Sequence, residues 1–180
     1  MIIALAGRRV DALDAKSVRF PSTPENLETV RKRILELLQA KRASALVSSA
    51  ACGADLLAQS VAGVIGVRRI IVLPFEREEF RETSVTDRPG EWGSLYDTLL
   101  DEVEKAGDVH ILNLKSAEDA YAETNHVIVD EAISLGQKLR VPVTAVLVWD
   151  GKSRGKEDLT EEFGRYARSQ QLAVMEVMTM

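Results

Sequence analysis

The residues of this 180-residue chain best placed to do chemistry stand where short apolar runs end. Four such places are Gly7-Arg8-Arg9, the stretch Ser48 to Asp55, Pro74-Phe75-Glu76, and Trp149-Asp150-Gly151. The second reads Ser-Ser-Ala-Ala-Cys-Gly-Ala-Asp. Small side chains there let backbone amides approach a ligand, a helix opening after Gly53 would aim its positive end at it, and serine hydroxyls can donate to phosphate oxygens. The candidate contacts are Ser48, Ser49, Gly53, Ala54 and Asp55. The stretch fits neither the dinucleotide-binding glycine pattern nor the P-loop. The same small residues would equally allow tight strand-helix packing, with Asp55 as a first-turn acid, and spacing leaves both readings open.

The other three ends carry similar pairs of readings. Arg8 can neutralise a phosphate through two parallel hydrogen bonds, or pair with Asp11 or Asp14 at the surface. Trp149 can stack on a base while Asp150 takes a ribose hydroxyl, or Trp149 can complete a buried strand. Thr160, Glu161 and Glu162 open a late helix whose cap is Asp158 or Thr160. His110 and His126 have no paired spacing, so no metal site is expected. Cys52 lacks a histidine partner and reads as a small packed residue. The charged run Glu76 to Glu82 reads as solvated surface, with Phe80 and Arg81 as possible parts of a lid.

These positions must be held by a frame, and hydrophobic patterning supplies it. Apolar runs at 2–6, 45–47, 69–73, 109–112, 142–149 and 173–177 alternate with amphipathic stretches. That alternation is the mark of βα units around a parallel sheet. Helices are expected near 25–40, from Gly53 onward, 91–105, 117–139 and after 158, with 75–93 a long polar connection. Leu27, Val30, Ile34, Leu37 and Leu38 share one face of the first. The expected fold is α/β, a Rossmann-like, doubly wound, mostly parallel sheet of about six strands with helices on both faces. In such sheets ligands sit outside the carboxyl ends of the strands, where all four places can face one crevice.

Composition narrows the partners. With 46% hydrophobic and 28% charged residues, the chain is ordinary globular material, expected to form one domain over 1–180. A net charge of −5 with dispersed basic residues makes nucleic acid an unlikely partner. One cysteine cannot form an internal disulfide, and the first apolar run has no basic leader and is too short to span a membrane. A cytoplasmic protein without a membrane association is expected.

Taken in order, these motifs resemble the SLOG superfamily, which takes in the DNA-processing SMF proteins and the Lonely Guy phosphoribohydrolases. Ala45 to Asp55 resembles its "vSG-A-GaD" turn, and Ala4 to Arg9 its "GHR" opening with arginine in place of histidine. Ile71 to Phe75 with Phe80-Arg81 resembles "vLPf…F". Val148 to Gly151, Gly155 and Thr160-Glu161-Glu162 resemble "vWDG…GGTaE". The resemblance implies a Rossmann-like fold, a nucleotide or nucleotide-derived ligand, no other cofactor, and a possible homodimer. Carried over by motif, Gly7, Arg8, Ser48, Gly53, Asp55, Pro74, Trp149, Asp150, Thr160 and Glu162 become candidate contacts. The active phosphoribohydrolases carry P-G-G-x-G-T-x-x-E, and here the paired glycines are missing and Phe163 stands where the glutamate falls. The implied function is therefore ligand binding or sensing, in a signalling or stress-defence setting. The alternative is hydrolysis of a nucleotide N-glycosidic bond, for which a carboxylate must lie beside the anomeric carbon and Asp55, Asp150 and Glu162 are the candidates. A single-strand DNA-handling role is a third, weaker expectation.

Overall fold

A computed structural model describes residues 1–115 and 118–180, with the side chain of residue 118 left aside. Its strands are β1 (Ile2–Gly7), β2 (Ala45–Ser48), β3 (Arg68–Leu73), β4 (Val109–Ile111), β5 (Val143–Trp149) and β6 (Ala173–Met178). They form one sheet in the order β4-β3-β2-β1-β5-β6, with every neighbouring pair parallel. The chain steps outward from β1 to β4, then returns to the other side of β1 to lay down β5 and β6. The fold is thus the expected Rossmann-like α/β sheet, and the order reverses between β1 and β5, the place where the ends of such sheets open into a crevice.

The helices are α1 (Pro24–Ala40), α2 (Ala54–Val64), α3 (Arg77–Ser84), α4 (Trp92–Lys105), α5 (Glu118–Leu139) and α6 (Leu159–Ser169). Side chains alternate across a strand, so β1 feeds two cores at once. Ile3 and Leu5 join Val30 and Ile34 of α1, Leu56 and Val61 of α2, and Leu99 of α4. Ile2, Ala4 and Ala6 face Ile128, Val129 and Ala132 of α5 and Phe163 and Ala167 of α6. Alanines at 4, 6, 45 and 145 keep that second face low, which lets α5 lie close over the centre of the sheet.

Two elements differ from the sequence reading. The connection after β3 contains α3, which polarity hides because only Phe80 and Ser84 of its eight residues are buried. Phe80 stacks against Tyr96 at 6.2 Å and Arg81 binds both carboxylate oxygens of Asp97, so the segment is docked on α4 rather than free as a lid. The stripe expected along α5 splits: Ile128, Ala132 and Leu135 enter the second core, whereas Tyr121 packs edge-on against Phe75 at 5.6 Å. The expected start of that helix, Ala117, lies outside the described residues. Among the described residues, no helix is long and apolar enough to cross a membrane.

Candidate functional site

Two hollows open side by side at the carboxyl ends of β1 and β5. The larger, about 560 Å³, lies between the Gly7–Arg9 turn, the loop 10–19 and the start of α6. The smaller, about 210 Å³, lies between the same turn, the Ser49–Asp55 turn, α3 and α5. Gly7, Arg9, Leu159 and Thr160 line both and form the seam. Gly7 is required there by close approach, since a Cβ on it would lie 2.4 Å from the Ala54 Cβ and 2.6 Å from the Val148 carbonyl oxygen.

The larger hollow is basic. Arg9, Lys16, Arg19, Arg88 and Arg154 line it, against Asp11, Glu157 and Asp158. Two of those acids are engaged: Asp11 accepts from the amides of Arg19 and Phe20, and Asp158 from Arg8 and the amides of Arg154, Thr160 and Glu161. Arg9 and Arg88 both pair with Asp87, Arg88 through its Nε at 3.7 Å, and the Nε of each lacks a hydrogen-bond acceptor among the described residues. Partial burial and the nearby guanidinium groups of Arg8 and Arg19 push the Arg154 pKa below the ordinary arginine value, outweighing Asp158 and Asp150. Excess positive potential of this kind attracts an anion.

Arg8 itself is spent. It is 3% exposed and donates four hydrogen bonds: to Asp150 Oδ1 at 3.2 Å, to both Asp158 oxygens at 2.7 Å, and to the Lys152 carbonyl at 2.7 Å. Asp150 also accepts from Arg19 at 2.8 Å. Of the two cap candidates for α6, Asp158 is the cap. Burial alone would raise the Asp158 carboxyl pKa, but Arg8 and the amides of Arg154 and Glu161 outweigh it and hold it below the usual range. This network ties β1 to the β5–α6 loop and leaves Asp150 no lone carboxylate face. Trp149 belongs to the second core, with the Arg8 guanidinium carbon 5.6 Å from its ring centre.

The smaller hollow differs in kind. Asp55 is 7% exposed, and one carboxylate oxygen accepts from the Ala51 amide at 3.3 Å while the other, Oδ1, has no partner among the described residues. Burial pushes its pKa up to about 7, against the opposing pull of the Ala51 amide and Arg9. The Ser49 hydroxyl is likewise buried and without a partner among the described residues. Opposite stand Ser84 and Tyr121, bonded to each other at 3.1 Å, with Asn125 and Phe80 closing the walls.

The turn from Ser48 to Asp55 spends its polarity inward. The Ala51 amide bonds Asp55, the Cys52 amide the Ser84 carbonyl, and the Ala54 amide the Arg8 carbonyl at 3.1 Å. Ser48 lies beneath the turn, donating to the Ser49 carbonyl and accepting from Gln59. Gly53 has φ of +100°, and a Cβ there would sit 2.8 Å from both Arg8 O and Val10 N. What approaches Gly53 closely is the protein's own β1 turn.

Of the twelve sequence-derived candidates, the structure brings Gly7, Ser49, Asp55 and Thr160 to the small hollow and Gly7, Arg8 and Thr160 to the large one. Ser48, Gly53, Ala54, Trp149 and Asp150 form the supporting layer. Pro74 is buried beside neither, its carbonyl accepting from Leu114 at 2.8 Å. Glu162 lies between α5 and α6, 2.5 Å from His126 Nε2, and lines neither hollow. Phe163 is fully buried in the second core. Sequence reasoning left Arg88, Arg154, Tyr121 and Asn125 out of the site. The last two sit one helical turn apart on α5, a spacing that signals a shared face; the arginines stand in loops, where no periodicity marks them.

No protein-family model matches this chain, and no curated protein does. Among solved structures, the chain is similar to the X-ray structure of DNA processing protein A from Streptococcus pneumoniae, with 12% identity and a TM-score of 0.42. The similarity covers 96% of this chain and 57% of that one, so the chain spans a little over half the length of that protein. The likeness concerns the course of the chain, and no residue role is carried across it.

Proposed function

We propose that this chain binds a nucleotide or nucleotide-derived ligand across the two hollows, as a SLOG-type sensing domain. The observation that carries the reading is their contiguity: a basic hollow of about 560 Å³ shares a seam with a hydroxyl-lined one of about 210 Å³ holding the Asp55 carboxyl. A nucleoside phosphate has the same division, an anionic end joined to a neutral, hydroxylated and aromatic end. The phosphates belong with Arg9, Arg88 and Arg154, whose charge is incompletely matched, rather than on the Ser48–Asp55 amides, three of which are already bonded. Arg8 and Asp150 act as positioning residues beneath them.

Thermal shift and calorimetric titration with nucleoside mono- and diphosphates test this reading. A saturable ligand should lose affinity in Arg154→Ala by about 1.5–3 kcal/mol, as for a hydrogen bond to a charged group, with a flatter salt dependence. Equal affinity in parent and variant at low salt would take the basic hollow out of the site. A short oligodeoxynucleotide belongs in the same titration, since tight, strongly salt-dependent binding of it would favour a nucleic-acid role.

One observation favours the N-glycosidic hydrolase reading as a second possibility. A carboxyl with a pKa of about 7 can hold and release a proton at neutral pH, as a general acid must. Against it, Phe163 is buried in the core and offers no carboxylate near the hollows. Base released over many turnovers and abolished by Asp55→Asn would make this an enzyme; saturable binding without release leaves it a sensor.

A further inference from the structure

We propose that the small hollow reads a ribose hydroxyl through Asp55 and Ser49, so that the site takes ribonucleotides and discriminates against their deoxy counterparts. The inference rests on the nucleotide reading above and adds to it which sugar is accepted.

Two hydrogen-bonding groups in the small hollow are unsatisfied. Asp55 Oδ1 and Ser49 Oγ are both buried, both without a partner among the described residues, and both belong to residues lining the same hollow. Leaving a buried polar group unsatisfied is costly, and such groups in a folded protein call for an explanation. The hollow, about 210 Å³ and open to solvent, has room for several waters or for the sugar and base of a nucleotide.

Charge then limits what enters. The cations gather in the large hollow, and among the described residues Arg9 is the one arginine or lysine that also lines the small one, together with an acid, Asp55. A phosphate beside Asp55 would meet a carboxyl with which it competes for the same positive charge. An oxygen acceptor such as Asp55 Oδ1 wants a neutral O–H or N–H donor.

Connectivity chooses between them. With phosphates held by the arginines of the large hollow, the first part of a nucleotide to cross the Gly7–Thr160 seam is the sugar, and the base follows. Phe80 and Tyr121 supply aromatic surface for the base, and Ser49 and Asp55 stand on the turn side of the hollow for the sugar. A serine hydroxyl can donate and accept, and Asp55 Oδ1 accepts, which suits the hydroxyls of a ribose. Sites built to bond a hydroxyl reject the analogue lacking it, because their own groups are left buried and unpaired.

The experiment is a calorimetric titration of the full chain with the four ribonucleoside 5′-monophosphates, and with the 2′-deoxy and 3′-deoxy forms of whichever binds. Loss of one hydroxyl should weaken binding roughly ten- to a hundredfold, the range for one hydrogen bond to a charged group. In Asp55→Ala the ratio of ribo to deoxy affinity should fall towards one, and in Ser49→Ala it should shrink less. Ser49→Ala supplies the second variant if Asp55→Ala does not fold, and the parent's own ratio needs neither. Deoxy analogues that both bind within threefold of the ribonucleotide would overturn the inference and leave the nucleotide reading standing. Failure of every nucleotide to bind would remove that reading, and this inference with it.

Discussion

Two buried acids on the same edge of the sheet, Asp158 and Asp55, have opposite circumstances. Asp158 receives two hydrogen bonds from Arg8 and three from backbone amides, and its pKa is held down. Asp55 receives one long bond from the Ala51 amide, and its pKa is driven up to about 7. Burial is common to both; partners are not. A buried charge that is fully bonded is a structural joint, whereas one left half-bonded is held ready for something outside the chain. The contrast assigns Arg8, Asp150 and Asp158 to the frame and Asp55 to the site.

The harshest way to break that contrast is to empty the joint. Arg8→Ala leaves Asp158 buried with backbone donors alone and Asp150 with Arg19, and should destabilise the fold by about 3–5 kcal/mol in urea unfolding. Arg8→Lys should recover little, because an ammonium cannot bridge both carboxylates. Acid should undo the joint too: Asp158, with its folded pKa below the unfolded value, contributes stability at neutral pH that is lost as pH falls through that lowered value, below about 3.8. A loss under 1 kcal/mol in Arg8→Ala would mean that the joint does not hold the loop.

The opposite sign is expected at Asp55. Its folded pKa of about 7 lies above the ordinary aspartate value of 3.8, so between those pH values the folded state keeps a proton that the unfolded state has released. Raising pH across that window therefore costs stability, and Asp55→Asn should remove the cost. The variant should be more stable than its parent by a few kcal/mol at pH 8 and equal to it near pH 4. Parallel pH profiles for the two proteins would show that Asp55 is not a strained acid.

Gly53→Ala probes the seam between the two regions. A side chain at φ of +100° and within 2.8 Å of the Arg8 carbonyl should cost about 1–3 kcal/mol, read as a lower unfolding midpoint with unchanged slope. A neutral effect would mean that the β1 turn yields, and that the two hollows are less firmly joined than their geometry indicates. Smallest of all should be the stability effect of Arg154→Ala, within about 0.5 kcal/mol, because the residue is exposed and neighbouring guanidinium groups oppose its charge. A large destabilisation there would make Arg154 part of the joint rather than of the anion-binding surface.

Much of the frame was legible in the chain itself. Runs of apolar residues broken by amphipathic stretches demand a parallel sheet with helices on both faces, and all six strands fall within a residue or two of their expected limits. Local chemistry also narrowed the cap of α6 to Asp158 or Thr160, and the structure uses Asp158. Helix α3 escaped because so few of its residues are buried. The site was legible only as a neighbourhood, the strand ends. Which of its residues face outward depends on pairings between positions far apart in sequence, such as Arg8 with Asp150 and Asp158, and periodicity carries no information about those. Only the tertiary structure decided that Arg8 is consumed by the fold while Asp55 is not. The physical reason is that a side chain's availability is set by what surrounds it after folding, and residue type and spacing state only what it could offer.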